Sequence, residues 1–387
     1  MPEILPTQYF VADQPEPIIP GNPLWEKPLP LDYRPSKKIP QTSLTYGAYF
    51  RAISDYIGKL GSTHLAGIAS QLAGRPVSAG DISHLDIHLE KHGAFYHPAR
   101  LILHVNADCI ACVVNVAVSP LGMETIKAEF DNLKRLSARY ATHWLPFVFN
   151  CKAVAIHEQQ DVQVFMGEWF ADFHEFHLSE AKATKNLAIR VWDPENPDHY
   201  LSSNQVQQII TQAAMILTAH YRLDTTEQIA SWHNAAGDFV VCVETEVINV
   251  KLITVRGYEP LFNLDQADVS LETILNTVLI FFLNISMKMR IDRLDGVGDM
   301  VWNSLNVVPS IIAGFFEGLE FQAKHQRIPL ELIDAIKIFF FNLPAKDVQD
   351  ICAEIIGRIE PQSPDLSAVK AGINAHIAAI MSGFRQL

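Results

Sequence analysis

The hydrophobic period changes along this chain, and the order of those changes most constrains the fold. Between Ile82 and Lys91 the apolar residues Leu85, Ile87 and Leu89 alternate with His84, Asp86, His88, Glu90 and His92. A period of two lines one face of a strand, whereas the same Leu and Ile residues would scatter round a helix. The histidines also fit a His-x-x-x-His-x-x-x-His helical metal pattern. The apolar alternation favours the strand, which leaves them on a solvated face. Two more strands are predicted at Arg100 to Asn106 and Cys109 to Val118, joined by the turn Asn106-Ala107-Asp108. From Met123 to Ser137 the period becomes helical, with Ile126, Phe130, Leu133 and Leu136 on one side. Short strands near Phe147 to Ile156 and Asp161 to Phe165 then complete an antiparallel sheet carrying one helix.

Beyond Trp169 the pattern is mainly helical, with apolar stripes at Val206 to Tyr221, Leu271 to Ile291, Met300 to Ala323 and Leu330 to Phe341. One compact β-type segment, Phe239 to Val255, interrupts them and reads as a hairpin. Ahead of the sheet, ten of the 22 prolines fall within the first 40 residues, so that segment holds neither helices nor central strands and is expected to lie extended. Phe10, Trp25 and Tyr33 give it apolar weight to pack along the body. Tyr46, Tyr49, Phe50, Ile53, Ile57 and Leu60, then His64 to Leu72 ending at Gly74, predict two helices between this arm and the sheet. The expected organisation is an arm over 1–42, a two-helix extension over 43–80, a sheet unit over 81–168 and a helical unit over 169–387.

With 49% hydrophobic and 19% charged residues in 387, the chain is expected to be compact and soluble, as one large domain or two lobes. Its 30 basic against 43 acidic residues give a net charge of −13, which offers no general basic footprint for nucleic acid. The Pro-rich, acidic start lacks the pattern of an export signal. The apolar run from Thr277 to Ile285 is shorter than the roughly 20 residues of a membrane span. A cytoplasmic protein without a membrane span is expected, and its five cysteines are expected to stay reduced. Cys109 and Cys112 form a Cys-x-x-Cys pair, but strand geometry sends their sulfurs to opposite faces.

An antiparallel sheet with one helix after its third strand, a connector, then a helical part interrupted by a hairpin resembles the protein-kinase-like superfamily. At residue level, over roughly 80 to 320, the likeness is to its aminoglycoside and choline phosphotransferase branch. The resemblance implies a two-lobe α+β fold, with an antiparallel-sheet N-lobe and a mainly helical C-lobe. Phosphoryl transfer on such a fold needs a glycine-rich hairpin, a strand Lys paired with a helix Glu, a base Asp, and metal-binding Asn and Asp groups.

Several of these parts are altered here. The hairpin tip reads Lys91-His92-Gly93-Ala94-Phe95-Tyr96-His97-Pro98 and has a single glycine. Asn115 stands where the strand Lys is expected, and Glu129 resembles the helix Glu with which that Lys would pair. Val164 to Phe170, with Glu168, resembles the hinge that bonds a nucleotide base through its backbone. His174, Glu175 and His177 read as a metal set or as a helix cap or surface cluster.

Ser231-Trp232-His233-Asn234-Ala235-Ala236-Gly237-Asp238 resembles the catalytic loop in two frames. In the first, His233 matches the family His, Ala235 replaces the base Asp and Asp238 takes the place of the metal-binding Asn. In the second, Gly237-Asp238 is the Gly-Asp pair and Asp238 is the base. Thr254 stands where the second metal-binding Asp belongs, with Arg256 two residues on. A neutral hydroxyl neither neutralises nor firmly holds Mg²⁺. The corner Arg290 to Asp299 reads as a structural turn with Arg to Asp pairs, Gly296 closing one helix and Asp299 capping the next.

These substitutions imply a pseudokinase-like protein that binds a small anionic ligand or a protein partner. The candidate anion site uses His233, Arg256, Thr254 and, from the hairpin, His97, without metal. In the bland alternative Arg256 pairs with Glu244 or Glu246. An atypical phosphotransferase using ATP and Mg²⁺, with Asp238 as base, and a purely structural module are the other readings.

Overall fold

The computed structural model describes residues 5–12, 14–30, 44–93, 95–140, 142–157, 160–181, 186–245, 247–263 and 270–387. Tyr33, Ala94 and Glu246 lie outside them. The chain forms two compact units, Met1–Ala171 and Asp172–Leu387.

In the first unit, β2 (Ile82–Leu89), β3 (His97–Val105) and β4 (Asp108–Ala117) form an antiparallel meander. The turn between β3 and β4 places Asn106 at φ 54°, a left-handed value that Asn tolerates better than most residues. Helix α3 (Pro120–Ser137) follows, started by Ser119, whose hydroxyl accepts from the Gly122 N–H. Then β5 (Val148–His157) and β6 (Gln160–Glu168) close the sheet. The strand order is β1-β2-β3-β4-β6-β5, where β1 (Thr7–Val11) belongs to the Pro-rich arm and runs parallel to β2. The arm therefore contributes an edge strand, the one sheet position its prolines allow.

Leu85, Ile87, Leu101, Leu103, Cys112 and Val114 face inward, under α1 (Tyr46–Leu60) and α2 (Ser62–Ala73). Cys109 is exposed and Cys112 buried, on opposite faces. Trp25 is buried against Tyr9 and Phe50, and its ring occupies the space where a side chain on Gly47 would sit.

The second unit is less helical than its periodicity implies. His174–Glu180 and Leu187–Val191 form a hairpin, β7 and β8. They join β10 (Phe239–Glu244) and β11 (Val247–Leu252) in a four-stranded sheet ordered β11-β10-β7-β8. The expected helix cap at His174 to His177 is thus a strand, with Phe176 and Leu178 buried. Between the hairpins runs α4 (Ser203–Ala219), and β9 (Glu227–Ile229) pairs with β12 (Tyr258–Pro260) on either side of β10 and β11.

Helix α5 (Leu271–Lys288) is apolar over its 18 residues and spends them on the core, with Val278, Phe281, Phe282 and Ile285 buried. It ends eight positions before Gly296, so that glycine does not cap it. Instead β13 (Ile291–Arg293) and β14 (Met300–Trp302) pair across the corner, and α6 begins only at Val308. Asp299 consequently caps no helix, and its carbonyl accepts from the Leu294 N–H.

Helix α6 (Val308–Lys324) crosses α4 closely, because a Cβ on Gly314 would lie 2.0 Å from the Thr211 carbonyl. The chain ends in α7 (Leu330–Asn342), α8 (Ala345–Gly357) and α9 (Pro364–Phe384), which bury Phe340, Val348 and Phe384. Together the elements make a mixed α+β chain with mainly antiparallel sheets.

Candidate functional site

The segment from Ala230 to Asp238, between β9 and β10, is fixed from several sides. Gly237 has φ 67°, and a Cβ there would meet the Glu175 carboxylate at 2.3 Å, so the turn into β10 needs glycine. Asp238 follows and is 1% exposed. Arg256 grips it as a fork, with Nη2 2.5 Å from Oδ1 and Nη1 3.0 Å from Oδ2. The His233 N–H donates to Oδ2 at 2.8 Å, and Arg256 also donates to the Ser231 carbonyl at 3.1 Å.

Local topology makes this pair. Phe239 lies opposite Leu252 in the β10/β11 ladder, and the Ile253 N–H donates to the Asp238 carbonyl, so residues flanking the hairpin base return beneath the loop. Glu244 lies at the far end of that hairpin, opposite Val247. The expected Glu244 partner therefore gives way to Asp238, and Glu246 lies outside the described residues.

The rest of the loop is pinned by cations and one carboxylate. Lys288, at the end of α5, donates to the Ala230 carbonyl at 2.8 Å and lies over the Trp232 ring. Burial holds its ammonium pKa below the ordinary value, against the pull of Asp365 and Glu259. The His233 ring lies 3.4 Å from Asp365 at the start of α9. Its hydrogen bond, together with Lys288 and Arg293, holds the Asp365 carboxyl below the usual range despite partial burial. Thr254 is buried, and its hydroxyl has no hydrogen-bond partner among the described residues.

Beside the loop lies a second buried cluster that sequence reading did not assemble. Nδ1 of His177, on β7, donates to Asp292 Oδ1 at 3.1 Å, and its Nε2 lies 3.6 Å from Glu175 Oε2. Asp292 on β13 also accepts from the backbone N–H groups of Leu178 and Arg293. Burial alone would depress the His177 pKa, but the hydrogen bonds and charges of Asp292 and Glu175 raise it to about 9. His177 is therefore an imidazolium at neutral pH, held between two carboxylates. Trp192 packs edge-on against it. The His174 to His177 cluster and the Arg290 to Asp299 corner were both visible in the sequence, but His177 and Asp292 are 115 residues apart, so only folding joins them.

The remaining candidates lie in the first unit. His97 is 2% exposed, its Nδ1 is 3.3 Å from that of His92, and its carbonyl accepts from the Tyr49 hydroxyl. Burial and the neighbouring His92 depress its pKa to about 3, so it brings no positive charge. Asn115 is buried on β4 opposite Pro98 and Phe165, with its Oδ1 unbonded among the described residues. Glu129 is buried on α3 beside Ile126 and Leu133. Glu168 folds back on the start of β5, where its carboxylate accepts from the Phe147 N–H at 3.1 Å and lies 2.8 Å from His143 Nε2.

The structure thus brings Asp238, His233 and Arg256 together. Chemically, the loop presents a closed ion pair, with the buried imidazolium of His177 beside it on β7, not an open carboxylate.

No protein-family model matches the chain, and no curated protein matches it. Among solved structures, the chain is similar to one titled WaaP in complex with acyl carrier protein, with 7% identity and a TM-score of 0.27, covering 68% of this chain and 87% of that one. It is also similar to a microcompartment-associated aminopropanol kinase, with 12% identity and a TM-score of 0.30, covering 83% of this chain and 96% of that one. Neither likeness assigns a role to any residue of this chain.

Proposed function

We propose that this chain is a protein-kinase-like scaffold that works by binding a partner, not by transferring a phosphoryl group. The observation that carries this reading is the fork of Arg256 on buried Asp238. Asp238 is the one carboxylate of the loop, and it serves either frame of the resemblance: base in one, metal ligand in the other. Both of its oxygens are taken by a guanidinium, so it neither accepts a substrate proton nor holds a cation without first losing Arg256. Thr254 supplies no second carboxylate for Mg²⁺. Positioning and electrostatic stabilisation supply nearly all of phosphoryl-transfer catalysis, and both are reduced here together.

The same fork weakens the case for a small anion, because the charge of Arg256 is already compensated and His97 is neutral. A protein partner is the favoured ligand class, and a small anion is the second.

The test is ATP turnover with Mg²⁺ or Mn²⁺ against a panel of hydroxylated metabolites, alongside thermal-shift screening of nucleotides with and without metal. The expected result is no transfer and no metal-dependent nucleotide shift. Turnover that is lost in Asp238→Ala would establish the phosphotransferase reading instead. A metal-independent shift with anions, lost in Arg256→Ala, would establish the small-anion reading.

A further inference from the structure

On the first unit's sheet, the face that alternates with Leu85, Ile87, Leu101 and Leu103 carries a line of ligand-type side chains. His84 on β2 stands opposite His104 on β3, and His104 stands opposite Cys109 on β4. Asp86, two residues beyond His84, shares that face. The two imidazoles stack with centroids 3.8 Å apart and planes 11° from parallel. His104 Nε2 lies 2.7 Å from Asp86 Oδ2. One ligand atom from each of His84, Asp86 and His104 falls within 4.8 Å of the other two.

We propose that His84, His104 and Asp86 bind a divalent transition-metal ion of the Zn²⁺ class. Three observations support this over a plain surface hydrogen bond. First, the Nδ1 atoms of both rings are engaged elsewhere: that of His84 lies 2.9 Å from Ser83 Oγ, and that of His104 lies 3.6 Å from Cys109 Sγ. Such outer contacts hold Nδ1 and leave Nε2 as the ring nitrogen through which each histidine can meet a metal, His104 after losing the proton it donates to Asp86. Second, Asp86 Oδ1 is buried with no hydrogen-bond partner among the described residues, so the carboxylate keeps an unused acceptor. Third, His104 and Asp86 remain 25% and 15% exposed, which leaves the ion a route in.

Ligands at roughly 2.0–2.2 Å from a common tetrahedral ion sit a little over 3 Å apart. On binding, the stacked rings therefore turn so that both point a nitrogen at one ion, the His104 and Asp86 contact opens slightly, and the proton shared there is released to solvent. Two imidazoles and one carboxylate suit Zn²⁺, Co²⁺, Ni²⁺ or Cu²⁺ better than Mg²⁺ or Ca²⁺. The site uses none of the residues on which the binding reading above depends, so either can fail alone.

Titration of the full chain with Zn²⁺ by calorimetry, and with Co²⁺ by visible absorption, tests the proposal. The expected result is one saturable ion per chain, with Co²⁺ giving ligand-field bands but no thiolate-to-cobalt charge-transfer band. His84→Ala and Asp86→Asn should each weaken binding at least about tenfold, whereas His325→Ala in the second unit should leave it unchanged. Zn²⁺ should also raise the melting temperature of the wild-type chain and not that of the His84→Ala and Asp86→Asn double variant. These residues are partly exposed, and retained far-ultraviolet dichroism confirms that the variants fold; if Asp86→Asn unfolds, His84→Gln replaces it. Binding that is absent, that survives these substitutions, or that shows a thiolate band would overturn the assignment.

Discussion

Arg256 closes on Asp238 through both of its terminal nitrogens, at 2.5 and 3.0 Å, and Asp238 is 1% exposed. Removing one partner of such a pair leaves a charge buried without compensation. Arg256→Ala should therefore lose about 3–5 kcal/mol of stability, measured by urea denaturation. Replacing both at once, Asp238→Leu with Arg256→Met, should recover most of the loss. A double-variant cost equal to the sum of the two single-variant costs would show that the residues stabilise the loop independently.

His177 gives the second unit a pH dependence on the alkaline side. Its folded pKa of about 9 lies above the ordinary 6.5, so the stability it contributes is fully present below pH 6.5 and is lost as pH rises through 9. The melting temperature should fall over that window. His177→Gln should be less stable at pH 6 by about 1–3 kcal/mol and should flatten the profile between pH 6.5 and 9.

His97 and His376 act in the opposite direction. Burial depresses both to about 3 in the fold, so each resists protonation that the unfolded chain accepts near 6.5. Stability is present above pH 6.5 and falls as pH drops toward 3. The slope per group is about 1.4 kcal/mol per pH unit once the unfolded form is protonated. Denaturation curves at pH 7, 5 and 4 should show a shallower acid loss in His376→Leu than in the wild-type chain. An unchanged slope would mean that His376 is protonated in the fold.

Trp25 ties the Pro-rich arm to α1, with its ring centroid 5.4 Å from Tyr9 and 6.1 Å from Phe50. Trp25→Ala should cost about 3–5 kcal/mol and increase proteolysis between residues 5 and 30. A cost below about 1 kcal/mol would show that the arm is not part of the cooperative fold.

Gly296 has φ 62°, and a Cβ there would lie 2.4 Å from the Trp192 ring and 3.0 Å from the His177 ring. Gly296→Ala combines backbone strain with a clash and should cost about 2–4 kcal/mol in thermal denaturation. The companion Gly357→Ala, in α8 with no atom near its Cβ position, should be neutral or slightly stabilising.

Local pattern determined much of this protein. Leu85, Ile87 and Leu89 set the face of β2 because side chains alternate along a strand, and the spacing of Ile126, Leu133 and Leu136 set the buried side of α3. The helices from Tyr46 to Leu60, Leu271 to Lys288 and Leu330 to Asn342 follow from their apolar stripes in the same way. Asp238 and Arg256 were legible as important loop residues, but not as partners. Pairing across the β10/β11 hairpin depends on register and on the left-handed Gly237, neither of which a charge pattern reports. The strands at His174–Glu180 and Met300–Trp302 were missed because short segments take their form from the strands they pair with more than from their own propensity. His97 read as a cleft cation from its position alone, and the burial and the His92 neighbour that depress its pKa come only with the fold. Tertiary structure alone decided the meeting of His177 with Asp292 and of His84 with His104, because contacts between distant segments leave no periodic trace in either one.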